Sequence, residues 1–303
     1  MNLILDTDIG SDVDDALALA VIIGSPELHL AGISTVYGNT QLRAQLARRY
    51  LRIAQQNTSL PVAPGLETTR SGAEIWWAGH EGGLFDDLDD EDVNGDAIHL
   101  LTTTAARHAG EIDVLAIGPL TNIAAALDAD PAFETNVRRL VIMGGDFSVE
   151  SRRAEHNIRC DIAAAKRVFS SRLPIVIGGL DLTLKVKLSY EDARTIARSG
   201  PYGEVLAAEI DVWWKYNDAR NREQFNSPHD PILALWIAKP NLFLTTQADV
   251  RIDDEGHTLD TANPDGNVTI LDVLRAETIQ EEIVTRVVTA SNPVAASQRG
   301  DAR

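Results

Sequence analysis

Five carboxylates fall within ten residues near the start of the chain, in Asp6-Thr7-Asp8-Ile9-Gly10-Ser11-Asp12-Val13-Asp14-Asp15. Carboxylates packed this closely repel. A pair about 4 Å apart is worth roughly 1 kcal/mol in bulk water and roughly 4 kcal/mol at the effective dielectric of a protein surface. The run follows an apolar segment, Leu3-Ile4-Leu5, and precedes an alanine-rich helical one, Ala16-Leu17-Ala18-Leu19-Ala20. It therefore reads as the turn between a buried strand and a helix, at the rim of a core where solvent screening is incomplete. One or two acids could simply complement the dipole of the helix that follows. Five exceed that need, and a hard metal ion held by oxygen at the C-terminal end of a strand is the simplest reading.

The elements that must position this loop are legible as an alternation. Residues 3–5, 30–36, 114–117, 139–143 and 174–177 are short apolar runs that read as buried parallel strands. Between them, residues 15–23, 41–55, 97–108, 122–127 and 163–170 carry amphipathic or alanine-rich helical patterns. That alternation predicts a single-domain α/β fold with a mostly parallel central sheet flanked by helices, Rossmann-like in layout. Thr121-Asn122 ahead of Ile123, and Asp161 ahead of Ile162, are expected to cap helix starts. Residues 245–272 read as short strands with turns, residues 279–289 as a final helix, and residues 295–303 as a loose tail. In such sheets ligands bind beyond the carboxyl ends of the strands. Several predicted strands end in glycine-bearing turns: Tyr37-Gly38-Asn39, Gly118-Pro119-Leu120-Thr121-Asn122, Gly144-Gly145-Asp146 and Gly178-Gly179-Leu180-Asp181.

Composition narrows the classes further. Basic residues number 27 against 45 acidic ones, a net charge of −18. This balance argues against nucleic acid and against an anionic membrane surface as partners. The one cysteine, Cys160, excludes an internal disulfide framework and is expected to be inert. With no basic, apolar leader pattern at residues 1–6 and no run approaching the ~20 apolar residues of a membrane span, a cytoplasmic protein is expected.

In this order, the acidic loop, Gly38-Asn39, Gly118-Pro119-Leu120-Thr121-Asn122, Met143-Gly144-Gly145, Glu155-His156-Asn157 and His229-Asp230-Pro231 resemble the inosine-uridine-preferring nucleoside hydrolases. These are calcium-dependent N-ribohydrolases, and the resemblance runs from Asp6 to about Pro231. It implies a Ca²⁺ site made by Asp8, Asp15, Asp230 and the backbone carbonyl of Ile117, with Asp8 also the base acting on a metal-bound water. It further implies that Asp14 accepts a hydrogen bond from a ribose hydroxyl and that Glu155 and Asn157 bind the sugar. Asn39 would be a further polar contact, Met143 would lie under the sugar, and His80 would sit on a mobile loop at the site. His229 is the candidate proton donor to the departing base, chosen because histidine titrates nearest neutral pH. The resemblance also implies a nucleoside substrate and a homodimer or homotetramer.

Three features depart from the family pattern. Ile9 stands where proline is common and the acidic loop is two residues longer, which leaves Asp12 and Asp14 both open as the sugar-binding acid. The stretch 147–154 has no asparagine, and His80 lies one position nearer Gly83-Leu84. A catalytically silent, calcium-dependent ribosyl-binding homologue, or a hydrolase of another N-ribosyl compound, is the alternative reading. A haloacid-dehalogenase-like phosphatase would need a downstream lysine motif that none of the five lysines supplies. Trp76, Trp77, Trp213 and Trp214 fall in segments expected to border the pocket, where an aromatic face could stack a nucleobase. Adjacent tryptophans on a helix cannot both face one ligand, so one of each pair is expected in the core or an interface.

Overall fold

Leu3 to Thr7 are buried without interruption in β1 (Asn2–Thr7), and the acidic loop leads directly from it into α1 (Asp14–Ile23). The computed structural model describes residues 1–57, 59–149, 152–218 and 227–292, so the expected tail at 295–303 lies outside the described residues. After α1 come β2 (His29–Thr35), α2 (Thr40–Ile53), β3 (Val62–Pro64), α3 (Ala97–Arg107) and β4 (Ile112–Ala116). The middle of the chain supplies α4 (Thr121–Ala129), α5 (Phe133–Asn136), β5 (Val137–Met143), α6 (His156–Cys160), α7 (Ile162–Phe169), β6 (Ile175–Gly178) and α8 (Leu180–Thr183). Then follow α9 (Tyr190–Ala197), α10 (Pro201–Asp218), α11 (His229–Ala238), β7 (Phe243–Ile252), β8 (Thr258–Ala262), β9 (Val268–Val273) and α12 (Ala276–Ser291).

Among the described residues the strands form one nine-stranded sheet in the order β3-β2-β1-β4-β5-β6-β9-β7-β8. All pairings from β3 to β9 are parallel, and the hairpin β7–β8 and the pair β7–β9 are antiparallel. The first six positions repeat the doubly wound order, whose direction of winding reverses between β1 and β4. That switch point is where the acidic loop emerges.

Helix α1 has no polar face beyond its first turn, and every residue from Asp14 to Ile22 is buried. It packs between α11 and α12 as well as against the sheet, which is why its sequence is alanine-rich rather than amphipathic. Gly24, just past its end, has no room for a side chain: a Cβ there would meet the Arg286 carbonyl oxygen of α12 at 1.9 Å.

Caps follow the sequence in part. Asp161 accepts from Ala164 N at 3.1 Å and opens α7 as expected. The expected cap at Thr121-Asn122 is corrected: Leu120 occupies the cap position and makes no side-chain bond. Tertiary partners have claimed both side chains. Thr121 Oγ1 donates to Asp161 at 2.8 Å, and Asn122 donates to Asp6 at 2.8 Å and to Thr35 O at 3.0 Å.

Candidate active site and metal centre

A cavity of about 720 Å³ opens at the carboxyl ends of β1, β4 and β5. Asp8, Asp12, Asp14, Asp15 and Asp230 form its acidic part, with Ile117, Met143, Glu155, Asn157 and His229 around them. Within it, carboxylate oxygens of Asp14, Asp15 and Asp230 all lie within 4.8 Å of one another. Asp14 and Asp15 occupy the first turn of α1 and Asp230 that of α11, so the packing of these two helices makes the trio. Asp8 ends up beside the trio on the cavity wall, at the end of β1. The sequence expectation grouped Asp8 with Asp15 and Asp230; the compact group contains Asp14 instead.

This arrangement is costly on its own. Each like-charged pair at such separations repels by roughly 3 kcal/mol at an effective dielectric of about 20. Burial pushes Asp14, Asp15 and Asp230 well above the ordinary carboxylate range, and the neighbouring acids push them further. Burial and the charge of Asp15 raise Asp12 to about 7. Asp8 is also raised by burial, with Arg43 and His156 opposing the shift. Buried carboxylates grouped this closely are the environment a bound cation would relieve. An all-oxygen set of carboxylates and a carbonyl suits a hard ion of high coordination number, so the residues fit the calcium that the sequence resemblance implied.

The opposite wall is built by backbone caps. Glu155 precedes α6; its Oε1 accepts from Asn157 N at 2.9 Å and its Oε2 from Ile158 N and Gly145 N, each at 3.1 Å. Asn157 Nδ2 donates to Ile117 O at 2.9 Å and to Met143 O at 3.2 Å, stitching the ends of β4 and β5 together. The Ile117 carbonyl therefore already accepts one bond and keeps a second lone pair. Gly118 is required beside it, since a Cβ there would stand 2.8 Å from Asp8 Oδ1.

His229 reaches the cavity with Nδ1 2.7 Å from Thr183 Oγ1. Burial, and then the charge of Arg153, lowers it to about 4, so it is neutral at physiological pH. The reason for choosing it from sequence, titration near neutrality, does not survive folding. Asn39 is not brought to the site: it is exposed, its Oδ1 caps α2 by accepting from Leu42 N at 3.0 Å, and it does not line the cavity. His80 sits one layer behind the lining, with Nε2 2.8 Å from Ser11 O and its ring against Tyr216 and Trp213.

Aromatic rings crowd the mouth. Trp76, Trp77, Trp213, Tyr216, Tyr37 and His156 all line it. Trp213 faces the cavity and Trp214 is buried, as helical geometry requires. Trp76 and Trp77 are both at the cavity, a correction with a simple cause: they lie on an irregular loop rather than a helix. Cys160 also borders the cavity, its thiol pushed up to about 12 by burial, consistent with an unreactive group.

Sequence reading missed Arg43, Thr7, Tyr37, His156 and Thr183. Thr7 Oγ1 donates to Asp15, and Tyr37 holds a left-handed backbone with φ of 71° two residues past the end of β2. Arg43 had a signal. It falls in the same helical stripe as Ala47, Tyr50 and Ala54, and a charged residue in an apolar stripe is buried for a reason. A second cluster, Asp253, Glu255 and His257, is a surface turn closed on itself, Asp253 accepting from Glu255 N and His257 N.

The family model for the inosine-uridine preferring nucleoside hydrolases matches residues 3–292. A probable uridine nucleosidase 2 from Arabidopsis thaliana is 32% identical over 270 residues, 84% of this chain and 83% of that one. The pyrimidine-specific ribonucleoside hydrolase RihA of Salmonella paratyphi B is 30% identical over 266 residues, 84% of this chain and 85% of that one. Among solved structures, a plant nucleoside hydrolase, PpNRh1, superposes with a TM-score of 0.84 at 27% identity, covering 95% of this chain and 98% of its own. A purine-preferring ribonucleoside hydrolase from Gardnerella vaginalis shares the fold with a TM-score of 0.87 at 24% identity, covering 97% and 100%. Matched over nearly its whole length, the chain belongs to the inosine-uridine preferring nucleoside hydrolase family.

Proposed function

We propose that the chain hydrolyses the N-glycosidic bond of ribonucleosides in this cavity, with Ca²⁺ held by Asp8, Asp15, Asp230 and the Ile117 carbonyl. Ribonucleoside hydrolysis as such follows from the family. The observation that carries the finer reading is the buried acidic floor, which has oxygen donors in number and no nitrogen or sulfur ligand in its trio. A bound cation there would orient the ribose hydroxyls and the attacking water and offset the charge of the floor.

The chain's own groups supply the rest. Cleavage builds positive charge on the sugar, as in glycoside hydrolysis, and the surrounding carboxylates stabilise it. Asp8 accepts the proton of the attacking water, with Arg43 and His156 favouring its charged form. Asp14 accepts from a ribose hydroxyl; Asp12 is the weaker candidate because it is turned into its own loop, accepting from Val13 N at 2.6 Å. Asn157 has committed its amide nitrogen to two carbonyls, which leaves its oxygen for the sugar. Glu155, held by three backbone donors, has one further acceptor site for a hydroxyl, and Met143 offers an apolar floor. In the tautomer in which Thr183 donates to Nδ1, neutral His229 presents Nε2–H and hydrogen-bonds the departing base, which leaves as its anion and takes its proton from water. Trp76, Trp213 and Tyr216 provide stacking faces for that base. The resemblance extends the proposal to a cytoplasmic homodimer or homotetramer; no helix among the described residues is long and apolar enough to cross a membrane.

Turnover of inosine and uridine, with chelator and with Ca²⁺ restored, tests the proposal. Chelation abolishes hydrolysis and Ca²⁺ restores it, while Asp8→Asn lowers kcat by about 100-fold or more. Full activity of Asp8→Asn removes the base assignment. Calcium and ribose binding without turnover favours the silent homologue. Cleavage of phosphate monoesters with no action on nucleosides ends the reading altogether.

A further inference from the structure

Arg43 is a fully buried cation whose hydrogen-bond partners among the described residues are all neutral. From α2 its Nε donates to Tyr37 O at 2.7 Å, its Nη1 to Asp8 O and to Ile9 O (the latter at 2.9 Å), and its Nη2 to Ser11 Oγ at 3.3 Å. The planar fork of a guanidinium suits several fixed acceptors at once, and burial makes each bond costly to lose. Gly10, between two of the acceptors, runs at φ of +120°, and a Cβ there would meet Leu46 at 2.8 Å, so the loop lies flat on α2.

The aromatic mouth of the cavity is attached to the same group. The Trp77 ring lies 4.9 Å from the guanidinium carbon, within cation–π range. Ser11 Oγ passes the connection on to Glu81 Oε1 at 2.8 Å, and Glu81 in turn accepts from Ala78 N at 2.6 Å and Gly79 N at 2.7 Å. Ser11 O also meets His80 Nε2 at 2.8 Å. The loop that carries Trp76 and Trp77 is thereby latched to the loop that carries the carboxylates.

We propose that Arg43 is a positioning residue for the reaction, one side chain that fixes the backbone at Asp8–Ser11 for cation binding and, through Trp77 and Ser11, sets the aromatic wall against it. The inference rests on the metal-dependent reading of the cavity. It goes beyond that reading in assigning the geometry of the two halves of the site to a residue that lies behind the cavity lining.

Calorimetric Ca²⁺ titration and uridine and inosine kinetics on wild type, Arg43→Met, Arg43→Lys and Trp77→Leu provide the test, with circular dichroism melts to confirm folding. In folded Arg43→Met, Ca²⁺ affinity falls at least tenfold and kcat falls with it. Arg43→Lys restores part of the affinity, because it keeps the charge, and less of kcat, because an ammonium cannot serve every acceptor. Trp77→Leu raises KM with little change in Ca²⁺ affinity, and in folded Arg43→Met KM rises as well even at saturating Ca²⁺, a split between cation and substrate binding that a merely structural role for Arg43 would not produce. Arg43→Met with Ca²⁺ affinity and kcat within twofold of wild type overturns the proposal; should it not fold, the same outcome in Arg43→Lys does so. Wild type that binds no Ca²⁺ removes the metal-dependent reading itself, a failure visible before any variant is measured.

Discussion

In chelator, this protein should lose stability as pH rises through the range where most proteins gain it. Asp6 and Asp12 are each raised to about 7, mainly by burial, and the trio is pushed up as well. A carboxyl whose folded value lies above its unfolded value holds its proton more tightly in the native state. Its stabilising contribution is complete below about pH 4 and is lost as pH climbs towards 7. One such group gives a slope of about 1.4 kcal/mol per pH unit, hence roughly 2–3 kcal/mol between pH 5 and pH 7. Half-buried Asp12 contributes less than fully buried Asp6, because solvent screens it. For a large domain this amounts to a fall in Tm of roughly 4–8 °C.

Saturating Ca²⁺ works in the other direction, since it binds deprotonated ligands and releases their protons. At 100 times its dissociation constant it adds about 2.7 kcal/mol. The measurement is a set of thermal melts between pH 5 and pH 7, in chelator and in Ca²⁺. Chelated protein melts lower at each step up in pH, the calcium-induced rise in Tm widens across the same interval, and Asp12→Asn flattens the chelated curve. A chelated Tm that is level or rises with pH, together with a calcium increment independent of pH, refutes the electrostatic reasoning.

Asn39→Ala costs about 1 kcal/mol in urea unfolding through loss of the α2 cap and leaves KM unchanged, whereas a substrate contact would raise KM. Asp230→Asn, removing one carboxylate of the trio, weakens Ca²⁺ by calorimetry at least tenfold and raises the Tm of the chelated protein, since it also removes repulsion. Gly118→Ala displaces Asp8 and lowers kcat at least tenfold, and it lowers Tm as well because the same Cβ crowds Val36 and the Asp8 backbone, read from kinetics and melts together. Thr183→Val lowers kcat and leaves Ca²⁺ affinity unaltered, because among the described residues its hydroxyl meets the Nδ1 of His229 and no carboxylate.

The run from β1 through the acidic loop to α1 was legible because its signals are local: an apolar strand, a charged turn, an alanine-rich helix. The same is true of Asp161 as a cap. What was hidden depends on distant partners. Asp14 joins Asp15 and Asp230 only because α1 and α11 pack together. Thr121 and Asn122 abandon capping for Asp161, Asp6 and Thr35, which no local pattern reveals. His229 loses its near-neutral titration through burial beside elements far away in sequence. Trp76 and Trp77 were placed by helical geometry on a segment that forms no helix. Asn39 stood in the right motif, yet its position at the start of α2 turned its side chain to the backbone.

The trio also changes how the chain as a whole is tied. Asp14 and Asp15 open the first helix, Asp230 opens the eleventh, and five strands of the sheet, β2 to β6, lie between them in sequence. An ion gripping both ends would act as a removable cross-link that closes a very long loop, and closing a loop restricts the unfolded chain most when the loop is long. Proteolytic nicking anywhere between these helices should therefore release fragments readily from the chelated protein and slowly from the calcium-loaded one.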